Sequence, residues 1–345
     1  MVGCGDISSK TPEHELFVAA VWNLQALYDG RENGNEFAEY REAAGWTPEK
    51  YQARITAFSQ AIQQMLEKDK VSAPKVTVPC LIGFVEVENS RVLDDLAMGA
   101  LSKHGYNWHA FASLPGSPMG IGFLSRFPLK EIKAHSITTG KDTAPRPVLE
   151  VRVEPNGKPL VFLLNHWKSK LGKDTEVLRR ASAKVVQRRL CELKAHEPET
   201  PVIVLGDLNE KHNEFEPGEK VSALLPDDPE AAEKTALMGM RDFLVLSGEK
   251  PPRAACFPDD VQALYSPWGI EINDGSYYYK GGWETIDHFL LSTALFDGSG
   301  WDFSDCHLLN NEPFVTSKGV PNAYAARYGR GLSDHLPLLL YLSYK

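Results

Sequence analysis

Apolar runs that end in one or two polar side chains recur along this chain. Residues 16–27 are apolar and β-prone, interrupted by Asn23, and a buried strand carrying one amide needs a partner for it. Residues 79–85 repeat the pattern and stop at Glu86, Val87, Glu88 and Asn89. Residues 119–124, 148–153 and 160–164 read as further strands. The last two pair around Pro155, Asn156 and Gly157, and the final one runs into Asn165 and His166. After Pro201, Val202 to Leu205 form a short buried strand that Gly206 ends. Thr47 and Pro48 supply an N-cap and a first-turn proline. Tyr51, Ile55, Phe58, Ile62 and Met65 follow at spacings of four, three, four and three, which is one apolar helix face. Helices are also predicted over residues 91–104 and 178–193. Residues 29–45 read as an acidic loop, and 211–275 as surface helices and loops over one end of the sheets. Residues 275–292 read as a hairpin turning at Gly281 and Gly282, its second strand carrying Thr285 to Leu291. A last apolar strand follows Pro337.

The polar residues at the strand ends are the candidates for chemistry. Asp207 and Asn209 lie two apart, so an extended backbone turns both to one face. Taken alone, the pair is equally a common turn signal. Asn23, Glu86, His166, Asp207 with Asn209, Asp287, and Asp334 with His335 repeat it at six places. Carboxylates, amides and histidines without cysteine are the donor set of a hard-cation phosphoryl-transfer site.

Composition narrows this reading. The length of 345 residues suggests about two domains. No Pro/Gly/Ser-rich linker or internal repeat divides the chain, so one domain over residues 16–345 is expected behind a flexible segment at 1–15. A net charge of -9 argues against a protein that coats nucleic acid through a general positive field. It leaves room for an enzyme that meets a polyanion at one local basic strip. Five cysteines without CxxC or Cys/His spacing make a zinc site or disulfide framework a poor fit. Cys80 and Cys191 are expected as buried thiols. No apolar stretch reaches the roughly 18 residues needed to span a membrane, and no segment reads as a signal peptide. Val2, Gly3, Cys4, Gly5 and Asp6 resemble the tail of a bacterial lipoprotein signal. A lipid anchor at Cys4 and an extracytoplasmic location are therefore expectations, with a cytoplasmic location as the alternative.

Seven motifs occur in family order: WNLQ at 22–25, VEVEN at 85–89, LSRFPL at 124–129, NHWKSK at 165–170, GDLN at 206–209, TIDHFLLS at 285–292 and SDHLP at 333–337. Together they resemble the endonuclease/exonuclease/phosphatase superfamily over nearly the whole chain. NHWKSK and the segment at 276–292 are most similar to the DNase I-like branch of bacterial membrane-bound and secreted nucleases. The resemblance implies an α/β (α+β) four-layered sandwich, two packed mixed β-sheets flanked by helices, with the active site where strand ends converge. It implies Mg²⁺ (or Mn²⁺) at Glu86 and Asp334, with Asn23 helping to bind the metal or the phosphate. Glu88 is the neighbour that could be mistaken for Glu86. By the same resemblance His335 would be the histidine nearest the scissile phosphate, oriented by Asp287. The resemblance also implies that Asp207 positions the attacking water, that Asn209 binds the phosphoryl group and that His166 is the second histidine. Val85 stands where many relatives carry Gln, which removes one expected hydrogen bond.

The expected function is a metal-dependent phosphodiesterase, a monomeric nuclease acting on DNA and/or RNA. The alternative within the same fold is a phosphoesterase of lipid head groups or inositol phosphates, and a non-catalytic binding module ranks below both. A basic run after His166 favours nucleic acid: Lys168, then Arg180, Lys184 and Arg188 on one helix face are expected to track the polynucleotide backbone. Tyr277, Tyr278 and Tyr279 are read as filling a strand, with base stacking as the second possibility.

Overall fold

Alternation along the first strand sets the layering. In the computed structural model, which describes residues 15–67, 76–139, 145–216, 222–236 and 240–345, β1 (Leu16–Leu27) turns Phe17, Ala19 and Val21 to one face and Val18, Ala20 and Trp22 to the other. β2 (Leu81–Val87), β3 (Trp108–Ala112) and β4 (Gly120–Ser125) join it in a six-stranded sheet. The second sheet has eight strands: β5 (Glu131–His135), β6 (Val148–Val153), β7 (Leu160–His166), β8 (Val202–Asp207), β9 (Leu224–Pro226), β10 (Leu244–Ser247), β11 (Ala263–Tyr265) and β14 (Asp287–Leu291). β12 (Tyr277–Tyr279) and β13 (Gly282–Glu284) form a separate two-stranded hairpin. β15 (Trp301–Leu308) and β16 (Leu338–Tyr344) complete the first sheet, in the order β15-β16-β1-β2-β4-β3. The second runs β5-β6-β7-β8-β14-β11-β10-β9. Both are mixed: β1 pairs with β2 in parallel and with β16 antiparallel, and β8 pairs with β7 in parallel and with β14 antiparallel.

The core between the sheets joins Phe17, Ala19 and Val21 to Phe162, Leu164, Ile203, Leu205 and Phe289. Outside the first sheet lie α1 (Pro48–Gln64) and α2 (Ser90–Met98), whose apolar faces meet Trp22 and Val18. Thr47 caps α1 as expected, accepting from Lys50 N. Outside the second lies α3 (Thr175–His196), with Val186 and Leu190 against Leu163 and Val204. The result is the expected helix–sheet–sheet–helix sandwich.

Several expectations are corrected. Gly206 does not end β8, which runs on to Asp207. A Cβ on Gly206 would sit 1.9 Å from the Asn165 carbonyl oxygen, and its φ of +129° excludes other residues, so glycine lets the two strands stay paired there. The segment 211–275 is more than surface cover, because β9, β10, a short α4 (Pro229–Ala236) and β11 extend the second sheet through it. Strands of three or four residues are too short to declare a period. The hairpin at 275–292 closes at Glu284, and Asp287–Leu291 is instead a central strand between β8 and β11. The helix expected to reach His104 stops at Met98 before Gly99 and resumes as a single 3₁₀ turn. Cys80 is buried, but Cys191 is only half-buried, at the flank of α3 beside the Asp260 carbonyl. Cys4 lies outside the described residues. Among the described residues no helix is long and apolar enough to cross a membrane.

Candidate active site

Register alone lines up three of the candidates. Asp207 on β8 is paired with His166 on β7 and with Asp287 on β14, so an imidazole and two carboxylates stand side by side at one sheet end. The first sheet brings Asn23 on β1 and Glu86 on β2 to the same end, with Asp334 and His335 from the segment entering β16. Glu86, His166, Asp207, Asn209, Asp334 and His335 all line one cleft of about 410 Å³, and Asn23 and Asp287 are buried beneath it.

Bulges aim the first-sheet residues. Gln25, Ala26 and Glu86 have φ of 50°, 55° and 61°, and the β1–β2 register slips between Asn23 and Leu27. Left-handed non-glycine residues cost about 1–3 kcal/mol each and persist only where surrounding contacts over-determine them. The contacts here are specific. Arg54, fully buried on α1, donates to the carbonyls of Leu24, Gln25 and Ala26. The bulge then points Ala26 N–H at Glu86 Oε2 (2.7 Å), leaving Glu86 Oε1 facing the cleft, 3.8 Å from His166 Nε2. Glu88, two residues on, serves a different purpose: its oxygens accept from Asp29 N–H and Asn33 Nδ2 and tie down the loop after β1. Burial, with Glu36 adding, raises the Glu88 carboxyl to about 7. The two glutamates are thereby told apart.

His335 and Asp287 form a buried dyad. His335 Nδ1 and Asp287 Oδ2 are 2.7 Å apart, and Ser276 Oγ donates to the same oxygen at 2.7 Å. Trp22 Nε1–H donates to the His335 carbonyl, and Ser333 Oγ bridges the Asn23 carbonyl and His335 N–H. WNLQ and SDHLP thus clamp each other. Burial works against a charged His335, but Asp287, Asp334 and Asp207 outweigh it and raise the imidazole to about 10. His166 goes the other way, well below its ordinary value, through burial and the nearby Arg146 and His335 cations. Charge and burial thus push the two rings in opposite directions, an arrangement suited to separating acid from base. Asp207 is pushed up to about 7 by burial and by the Asp287 carboxylate. Its Oδ1 accepts from Asn209 N–H, and Asn209 Nδ2 donates to the Trp167 carbonyl.

Three assignments change in detail. Asn23 does not offer its amide oxygen to the cleft: Oδ1 accepts from Gln25 N–H, while Nδ2 faces Asp207 Oδ2 at 3.1 Å. As placed, Asn23 orients a carboxylate. Arg180 and Arg188 do not line the cleft. Arg180 lies over the Phe243 ring, Lys184 pairs with Asp242 at 2.7 Å, and Arg188 sits 3.8 Å from Glu192 one turn on. That face of α3 is an acid-balanced surface, because the helix lies along the outside of the second sheet. The tyrosines do form a strand, but on the separate hairpin, bridged to His335 at Tyr277, where Tyr277 and Tyr279 line the cleft.

Arg146 was not anticipated. It lines the cleft beside Glu86 and Asp207, which favour its charge against burial, and its Nε–H is buried without an acceptor. Lying between Pro145 and Pro147, it belongs to no periodic segment, so only the proline bracket could have marked it. With Lys168 and Lys170 it makes the basic rim that α3 does not supply.

The donors fit a hard divalent cation. Asp207, Asp287 and His335 are the tightest group, their ligand atoms within 4.8 Å of one another. Asp287 Oδ2 is already bonded to His335 Nδ1 and Ser276 Oγ, and the Asp207 oxygens accept from Asn209 N–H and Asn23 Nδ2. Mg²⁺ keeps several waters and takes one or two carboxylates. Glu86 Oε1 and the half-buried Asp334, both open to the cleft, suit that better.

The profile of the Endonuclease/Exonuclease/phosphatase family matches residues 18–240. No curated protein matches this one in sequence. Among solved structures, truncated TDP2 from Caenorhabditis elegans is similar, with a TM-score of 0.55 at 14% identity over 96% of this chain and 98% of that one. TDP2 of D. rerio, complexed with single strand DNA product, gives 0.53 at 13% identity over 95% and 98%. The human Nocturnin catalytic domain with bound sulfate anion gives 0.51 at 16% identity over 98% and 100%. At such identities the likeness to these structures is one of fold. The family profile covers well over half of the residues, and on that ground, with the sandwich and the order of its motifs, the chain belongs to the endonuclease/exonuclease/phosphatase family.

Proposed function

We propose that this protein is a divalent-metal-dependent phosphodiesterase that cleaves nucleic acid, DNA or RNA. One observation carries the reading: polar strand ends from both sheets meet in a single cleft with an acidic and imidazole floor and a basic rim. Phosphodiester cleavage needs an in-line nucleophile, neutralisation of the charge that builds on phosphorus, and a proton for the leaving oxygen. Asp207 orients the attacking water and Asn209 binds the phosphoryl group. His335, held protonated by Asp287, offers Nε2–H to the phosphoryl oxygens. His166, neutral and buried beside Glu86 and Asp207, is placed to exchange a proton. A cation held by Glu86 and Asp334, Mg²⁺ or Mn²⁺, would supply charge neutralisation at the phosphate. A fold relative complexed with single strand DNA product supports a polynucleotide as substrate.

The rim tests the substrate class. Lys168 and Lys170 are both exposed at the cleft, Lys170 pairing with Glu214. The double change Lys168→Ala/Lys170→Ala should raise KM for long DNA or RNA and flatten its salt dependence by about two units of log–log slope, one per phosphate contact. A small chromogenic phosphodiester should lose far less. Equal losses on both substrates, or preferred turnover of sphingomyelin or an inositol phosphate, would end the nuclease reading.

A further inference from the structure

We propose that the cleft takes its polynucleotide as a single strand, with an unpaired base stacked on Tyr279, the outer end of a row of rings. The inference rests on the nuclease reading and adds the strandedness of the substrate.

The β12–β13 hairpin pairs with no other strand among the described residues, and a lone two-stranded ribbon is marginal by itself. Its base is fastened to the His335 segment by Leu336 N–H donating to the Ser276 carbonyl at 2.7 Å. Tyr277 and Tyr279, two apart on one strand, share the cleft face. Tyr278 and Trp283 are cross-strand partners on the opposite face. Across from Tyr279 stands Gly282, so no cross-strand side chain covers it, and the residue is 42% exposed.

The rings form a row that starts at the dyad. Tyr277 lies 4.5 Å from the His335 ring, centroid to centroid, and 26° from parallel. Tyr279 continues the row at 6.0 Å and 14°. Lys280 Nζ sits 5.1 Å from the Tyr279 centroid at the outer end. Single exposed aromatics are ordinary on a protein surface. Two near-parallel rings leading outward from the imidazole that faces the phosphate are a stacking platform. Only an unpaired base can use it, because in a duplex both faces of each base are already stacked. Aromatic rings also receive quaternary ammonium groups. Here Arg146, Lys168 and Lys170 line the same cleft and attract phosphates, while Glu284 and Asp334 line it too, so a phosphocholine ester is one arm of the test.

The test is binding of phosphorothioate-linked oligomers, which resist hydrolysis, in Mg²⁺ by fluorescence anisotropy. The probes are a single-stranded thymidine oligomer, a duplex of equal length and an abasic single strand. The intact protein should bind the thymidine strand about tenfold tighter than either other probe, within the range of stacking contributions. Tyr279→Ala should remove most of that advantage, and Tyr279→Trp should retain it. Tyr278→Ala, which disturbs the same hairpin on its far face, should leave it intact. Equal affinity for base-bearing and abasic strands, or an equal loss from Tyr278→Ala, overturns the inference while the nuclease reading stands. Failure to bind any nucleic acid, or displacement by a phosphocholine ester alone, overturns both.

Discussion

His335→Ala is expected to lower phosphodiester turnover by roughly a hundredfold or more, the scale of a positioned acid or base. Asp287→Asn should lose nearly as much, and the double variant little beyond either single one. The ground is geometric: Asp287 Oδ2 is the carboxylate oxygen on His335 Nδ1, and Ser276 fixes it from the other side. Removing the carboxylate charge also removes the main influence that holds the ring protonated. Measured kcat for the four proteins at neutral pH decides the matter. Multiplicative losses would mean that the two residues do not act as a unit. Circular dichroism and a denaturant midpoint for each variant separate chemistry from folding.

Glu86→Gln is the second large effect. It keeps an acceptor for Ala26 N–H but removes the charge that faces the cleft. Turnover should fall by about a hundredfold or more on the same scale, and isothermal titration should show weakened Mn²⁺ binding. Glu88→Gln should retain most of both, because Glu88 holds Asp29 and Asn33 instead of lining the cleft. The reverse ranking would place the metal on the other glutamate.

Much of this was legible because the site is built from strand ends. Burial on both faces writes each strand as an apolar run, and the polar residue that stops the run marks the cleft. Glu86, His166 and Asp207 carried that mark, Asn23 interrupts such a run and Asp287 opens one. What stayed hidden depends on phase and on long-range placement. Arg179 and Arg180 are adjacent, yet Arg179 is buried against Glu210 and Glu176 while Arg180 packs over Phe243. A run of charges does not reveal which of its members the tertiary structure will absorb. Arg146 reaches the cleft from a proline-bracketed connection, and Arg54 works from α1 on backbone carbonyls that no side-chain pattern discloses. The tyrosines carried aromatic strand propensity, but not the fact that their strand would leave both sheets and bridge to the His335 segment at the cleft mouth.

The central claim is that this cleft hydrolyses nucleic-acid phosphodiesters with a hard divalent cation. The most direct measurement is the initial rate of cleavage of DNA and RNA in Mg²⁺ or Mn²⁺ and in excess EDTA, beside sphingomyelin and an inositol phosphate under the same conditions. Cleavage of at least one polynucleotide that EDTA abolishes and added Mg²⁺ or Mn²⁺ restores, faster than either small phosphoester, is the result expected. Full turnover in EDTA, or hydrolysis confined to the lipid or inositol substrate, would contradict it.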